Sequence, residues 1–169
     1  VNKAVRFETN TGRVTFEGWS ATFSFGKNGA VPQNEGREGD GKTPLGLYQL
    51  RFGFYRADRL PRPRSDLLFH PLNADDGWCD APDDPAYNRF IQRPYVASHE
   101  SLWREDGAYD VILVMSHNDS PPRANLGSAV FIHCRQPVHR PTLGCLALSA
   151  PDMWRLIPKL RSGLRIDVR

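Results

Sequence analysis

The chain has 169 residues, 40% hydrophobic and 24% charged, a balance that gives one globular domain with enough apolar material for a real core. No apolar run approaches the ~18 residues of a membrane span. The net charge of +3 is spread along the chain with no lysine/arginine run, which argues against a nucleic-acid-binding arm.

With 14 glycines and 14 prolines, short strands and many turns are favoured over a helical bundle. Val5 and Phe7, Val14 and Phe16, then Ala21, Phe23 and Phe25 recur at every second position, the period of half-buried strands. Asn10-Thr11-Gly12 reads as a turn between the first two. From Gly26 to Gly46 the chain reads as loop, and Leu47–Tyr55 as strand. Residues 56–94 carry prolines, arginines and acids with little periodicity. A stretch this long inside a small domain is an insert with a functional role, such as a lid, and its aromatics argue that it is ordered. Tyr109–Ser116 and Ala129–His133 read as strands, the first buried by its continuous apolar run. Ser149 opens a helix with Asp152 in capping-box position and Pro151 in the first turn. Met153, Trp154, Ile157 and Leu160 form its apolar stripe, Gly163 ends it, and Leu164, Ile166 and Val168 make a closing strand.

Gly36 to Thr43 matches G-x-x-x-x-G-K-[ST] in full, yet the chemistry of that motif needs a strand before it and a helix from the lysine onward. Val31-Pro-Gln-Asn is no strand, Pro44 and Gly46 follow at once, and Glu38 and Asp40 would repel a phosphate. No nucleotide site is expected.

Chemistry concentrates in Val130-Phe-Ile-His133-Cys134 and Pro141-Thr-Leu-Gly144-Cys145-Leu-Ala-Leu148. Strand alternation puts Phe131 with His133, and Cys145 with Ala147. If the two segments are neighbours, joined through a loop with Pro137, His139, Arg140 and Pro141, His133 and Cys145 meet across a sheet. An ordinary thiol is mostly protonated at neutral pH, and an adjacent imidazole makes it a nucleophile. Gly144 lets the backbone turn sharply, so that the N–H groups of residues 144 and 145 are free for an oxyanion, with Thr142 able to bond within the turn.

Glu38-Gly-Asp-Gly-Lys-Thr-Pro44-Leu-Gly46-Leu-Tyr48 resembles the DGKTPxGxY segment of L,D-transpeptidase (YkuD-type) catalytic domains. His133 followed by Thr142-Leu-Gly144-Cys145 is similar to that family's His…[Ser/Thr]-x-Gly-Cys signature. The resemblance implies one domain over residues 1–169, mainly β and β-sandwich-like, with a C-terminal-side helix and a loop-rich insert. It implies a thioacyl-enzyme on Cys145 with His133 as base, and an oxyanion hole at Gly144 and Cys145. No cofactor or metal is implied. Peptidoglycan stem peptides would be donor and acceptor, and carbapenem-type β-lactams inhibitors. A monomer facing the periplasm or cell wall fits such a substrate; no charged-then-apolar leader precedes Val1, so a signal peptide has either been removed or never existed. The chain departs from the common pattern at Cys134, Leu143 and Ala147, where Gly, His and Arg are usual. These departures resemble a divergent branch.

Further candidates for substrate contact are Arg123, as a carboxylate fork, His117 just after a strand, Thr142, and Trp78 and Tyr87 from the insert. Competing readings are a hydrolase on the same scaffold, a zinc site at His133, Cys134, His139 and Cys145, and a non-catalytic wall-binding module. The odd cysteine count leaves at least one thiol unpaired, and a Cys79–Cys134 bridge stays open.

Overall fold

The structure, a computed structural model, describes residues 3–136 and 139–169; Pro137 of the loop before Cys145 lies outside the described residues. Strands β1 (Ala4–Glu8), β2 (Arg13–Phe16) and β3 (Trp19–Ser24) form an antiparallel meander. Its inward side chains Val5, Phe7, Val14, Phe16 and Phe23 are buried, as the alternation requires. The stretch expected to be loop holds a short strand, β4 (Ala30–Pro32), lying parallel to β5 (Thr43–Tyr55). β5 begins four residues earlier than its alternation suggests, because Pro44 tolerates an extended backbone. Thr43 therefore opens a strand and not a helix, which removes the geometry a phosphate loop needs.

β6 (Phe69–Pro71) runs beside the far end of β5. The insert then forms a small antiparallel sheet of β7 (Asp76–Cys79), β8 (Phe90–Gln92) and β9 (His99–Ser101), ordered β8-β7-β9. β10 (Val111–Met115), β11 (Phe131–Cys134) and β12 (Leu146–Leu148) follow, then α1 (Ala150–Leu156) and β13 (Arg165–Val168). Ser149 caps α1 as expected, its hydroxyl accepting the Asp152 N–H at 3.2 Å. The helix is shorter than its apolar stripe implies. Pro158 lacks an N–H and its ring obstructs the preceding turn, so residues Ile157–Lys159 tighten into a 3₁₀ turn.

Pairings run β10-β11-β12-β3-β2-β1-β13-β5, and β5 pairs back onto β10. The mainly β architecture thus closes on itself as a barrel-like sheet. β5 makes the closure possible by its 13 residues: Gly46–Gln49 pair with β13, and Leu50–Tyr55 with β10. The main core fills the ring and is plugged by Met153, Leu156 and Ile157. A second apolar cluster lies on the outer face of β10 and β11, under the insert, around Trp78, Leu102, Tyr109, Ile112 and Phe131. Covered on both faces, β10 needs its continuous apolar run.

The insert is tied down by Arg56, only 2% exposed. Its guanidinium forks onto Asp58 at 2.8 and 2.9 Å, donates to the Arg104 carbonyl, and stacks 3.5 Å from the Trp103 ring.

Candidate active site

β11 and β12 are parallel neighbours in the register Ile132–Leu146, His133–Ala147, Cys134–Leu148. Ile132, Cys134, Leu146 and Leu148 point into the main core, while Phe131 and Cys145 belong to the outer cluster. His133 and Cys145 therefore share the outer face, one pair apart, and both line a cleft of about 620 Å³ beneath the insert.

The thiol of Cys145 donates to the Ala129 carbonyl at 3.1 Å, and its sulfur accepts the Phe131 N–H at 3.3 Å. The His133 ring is oriented by a 2.8 Å bond between Nδ1 and the Cys134 carbonyl, and the Tyr109 ring packs against it edge-on at 5.3 Å. Among the described residues no hydrogen bond joins the imidazole to the sulfur. Among the described residues Nδ1–Cys134 is the ring's one hydrogen bond of good geometry, and the thiol is turned toward Ala129. Burial pushes the Cys145 thiol up to about 12, against the Phe131 N–H, and takes His133 down to about 4, against the Cys134 carbonyl. The resting pair is neutral thiol and neutral imidazole, not a preformed ion pair.

The turn before Cys145 is built from three sides. Gly144 has φ of +148°, and a Cβ there would lie 2.9 Å from the Lys42 carbonyl oxygen. The Thr43 hydroxyl, fully buried, donates to the Gly144 carbonyl at 2.8 Å and accepts the Gly26 N–H at 2.9 Å. The Thr142 hydroxyl donates to the Cys145 carbonyl and accepts the Gly144 N–H at 3.0 Å. This corrects one expectation: the Gly144 amide is spent inside the turn, which leaves Cys145 N–H of the expected oxyanion pair. The first residues of the Lys42–Tyr48 segment also brace the turn before Cys145, through the Lys42 carbonyl and the Thr43 hydroxyl.

His117 lines the cleft as expected, 5% exposed, with neither ring nitrogen partnered among the described residues. Gly127 makes room for it, since a Cβ there would stand 3.1 Å from Nε2. Burial takes this ring down to about 4 as well. Thr142 also lines the cleft, with its hydroxyl committed to the turn. Arg123 does not reach it. It is exposed and borders a separate depression of about 390 Å³ with Arg51 and Asp119. Trp78 and Tyr87 are corrected too: they are buried behind the wall of the cleft and do not line it. Trp78 packs edge-on against Phe131 at 5.0 Å, and Tyr87 donates to Glu38 and accepts the Gly127 N–H.

Asn88 joins these parts, and sequence reasoning saw it only as one residue of a lid. Its Oδ1 accepts from Trp78 Nε1 at 2.9 Å and from the Ala129 N–H at 3.0 Å. Its Nδ2 donates to the carbonyls of His117 and Asn118 at 3.0 and 2.7 Å. It thereby holds Ala129 at φ of +53°, the strained residue whose carbonyl receives the thiol. Glu100, Arg104 and Tyr109, which also surround the site, carried no motif that would have drawn attention to them.

The zinc arrangement does not form, because Cys134 points into the core and Cys145 into the cleft. Among the described residues no group of three or more His, Cys, Asp or Glu side chains converges as a metal site. All three cysteines are free, so the Cys79–Cys134 bridge is not made.

The catalytic-domain family of L,D-transpeptidases (YkuD) matches residues 2–168. The chain belongs to the L,D-transpeptidase family. No curated protein and no solved structure matches it. Family membership makes this an enzyme domain of L,D-transpeptidase type with a role tied to peptidoglycan, and no helix among the described residues is long and apolar enough to cross a membrane.

Proposed function

We propose that the domain is a peptidoglycan L,D-transpeptidase that cross-links stem peptides through a thioester on Cys145, with His133 as base. What carries this reading is the juxtaposition of Cys145 and the His133 imidazole on one face of β11 and β12, lining the same cleft. In the first step the Cys145 side chain turns away from Ala129, and its proton passes to His133. The sulfur attacks the carbonyl of the diamino-acid residue of a donor stem, while the Phe131 N–H stays with the sulfur as charge develops there. The Cys145 N–H faces the oxyanion. The imidazolium then protonates the departing amino group of the terminal D-residue, leaving the thioester. In the second step the amine of another stem attacks that thioester, its proton returns through His133, and the thiol re-forms. Such a substrate places the domain on the periplasmic or wall-facing side.

Purified domain incubated with defined muropeptides tests this. Mass spectrometry should find a thioester adduct on Cys145 and then cross-linked dimers, with a carbapenem acylating the same residue. Shortened monomers without dimers would instead make it a hydrolase, and an unaltered Cys145 under every condition would refute both.

A further inference from the structure

The insert contributes a charged wall to the cleft that the mechanism above leaves unused. Glu100, on β9, lines it together with Asp80 and Glu38. One carboxylate oxygen, Oε1, receives the Tyr109 hydroxyl at 2.9 Å, and among the described residues Oε2 has no hydrogen-bond partner. No lysine or arginine lies within ion-pair distance of Glu100 among the described residues, and the nearby Arg104 is bonded to Asp106 instead. A carboxylate set into a cleft wall without a paired counter-ion is costly to keep ionised, a cost that either a proton or a cation from outside relieves. Glu100 lines the same cleft as Cys145 and His133, and its partner Tyr109 packs on the His133 ring.

Resting on the transpeptidase reading, we propose that Glu100 receives the ammonium of the acceptor amine and takes its first proton, delivering a neutral nucleophile to the Cys145 thioester. The chemistry needs such a group. A side-chain amine with an ordinary pKa of about 10.4 is neutral in roughly one molecule in 2,500 at pH 7. Two protons must leave it before an amide forms, and His133 accepts only one at a time. The ammonium gives one proton to the Glu100 carboxylate. The amine then attacks the thioester carbonyl, His133 takes the second proton, and the C–S bond breaks. The thiolate recovers a proton from the imidazolium, and Glu100 releases its own to water. Burial raises Glu100 to about 7; the Tyr109 hydroxyl and Arg104 oppose the rise, and Asp80 and Glu38 add to it. A base of that strength is half-ionised where the exchange has to run.

The test starts from the isolated thioester on Cys145, made with a tetrapeptide stem, and reads amide against hydrolysis product per acyl-enzyme. A slower first step in a variant therefore does not enter. The acceptors are a tripeptide stem with a free side-chain amine and methoxyamine, which is already neutral between pH 6 and 8. With the stem acceptor, the wild-type ratio should rise with pH and level off above about 7. Glu100→Gln should lower it at least about tenfold at pH 7 and leave it climbing roughly tenfold per pH unit through pH 9. With methoxyamine the two proteins should agree. A wild-type ratio that climbs unchecked through pH 9 overturns the proposal without any variant. So does an undiminished ratio in Glu100→Gln, or an equal deficit with methoxyamine, which would mean that Glu100 holds the donor or the fold. Failure of the wild type to form any thioester would strike the transpeptidase reading itself.

Discussion

Replacing Thr43 by valine removes one hydroxyl and nothing else in shape. Thr43 is fully buried, and that hydroxyl serves two backbone groups, the Gly26 N–H and the Gly144 carbonyl. Each loses its only side-chain partner among the described residues. An unsatisfied buried polar group costs about 1–3 kcal/mol, and the added methyl recovers a little through packing, so the loss should be about 3 kcal/mol. For a domain of this size that is a fall in Tm of roughly 6–12 °C. The Gly144 carbonyl also holds the turn that aims Cys145, and a misplacement of about 1 Å can cost about 10²-fold in rate. Urea unfolding followed by tryptophan fluorescence measures the first effect, and the rate of carbapenem acylation at Cys145 the second. Thr43→Ser keeps the hydroxyl and should lie within about 1 kcal/mol of wild type with near-normal acylation. A Thr43→Val protein within about 0.5 kcal/mol of wild type, acylated at the same rate, would refute the claim that this threonine braces the turn before Cys145.

Gly144→Ala should lose about 2–4 kcal/mol in the same urea assay, since a Cβ would lie 2.9 Å from the Lys42 backbone oxygen just before β5 and the φ of +148° suits glycine. Asn88→Ala strands four backbone and indole groups, and should cost about 3–5 kcal/mol and slow acylation by releasing the Ala129 carbonyl. The acid limb of acylation should fall near pH 4, because His133 is neutral above that value; a limb at about 6.5 would mean the imidazole is not buried as described. The same depression has a sign for stability. Between about 6.5 and 4 the unfolded chain binds protons on His133 and His117 that the folded chain does not, so these two rings lower stability as pH falls through that window. Glu100 acts oppositely: raised to about 7, it lowers stability as pH rises from its ordinary range to 7, and Glu100→Gln should remove that component in thermal melts.

Several parts of the site were legible because they are local. Alternation alone puts His133 with Phe131 and Cys145 with Ala147, and the register of β11 with β12 turns those two facts into one shared face. The Ser149 cap was legible for the same reason, since its partner is three residues away. Trp78 and Tyr87 misled because an aromatic in an irregular stretch reads the same whether it lines a cleft or packs behind one. Gly144 was marked as a sharp turn, but its amide was assigned to an oxyanion when the Thr142 hydroxyl had already claimed it.

The sequence by itself determined the strand pattern and the helix start and singled out His133 and Cys145 as the candidate pair, because periodicity and short motifs act over a few residues. Tertiary structure alone decided that β5 closes the sheet, that Thr43 grips Gly144 from 101 positions away, and that Glu100 stands over the cleft. Those outcomes depend on contacts between distant segments and on burial, and neither quantity exists until the chain has folded.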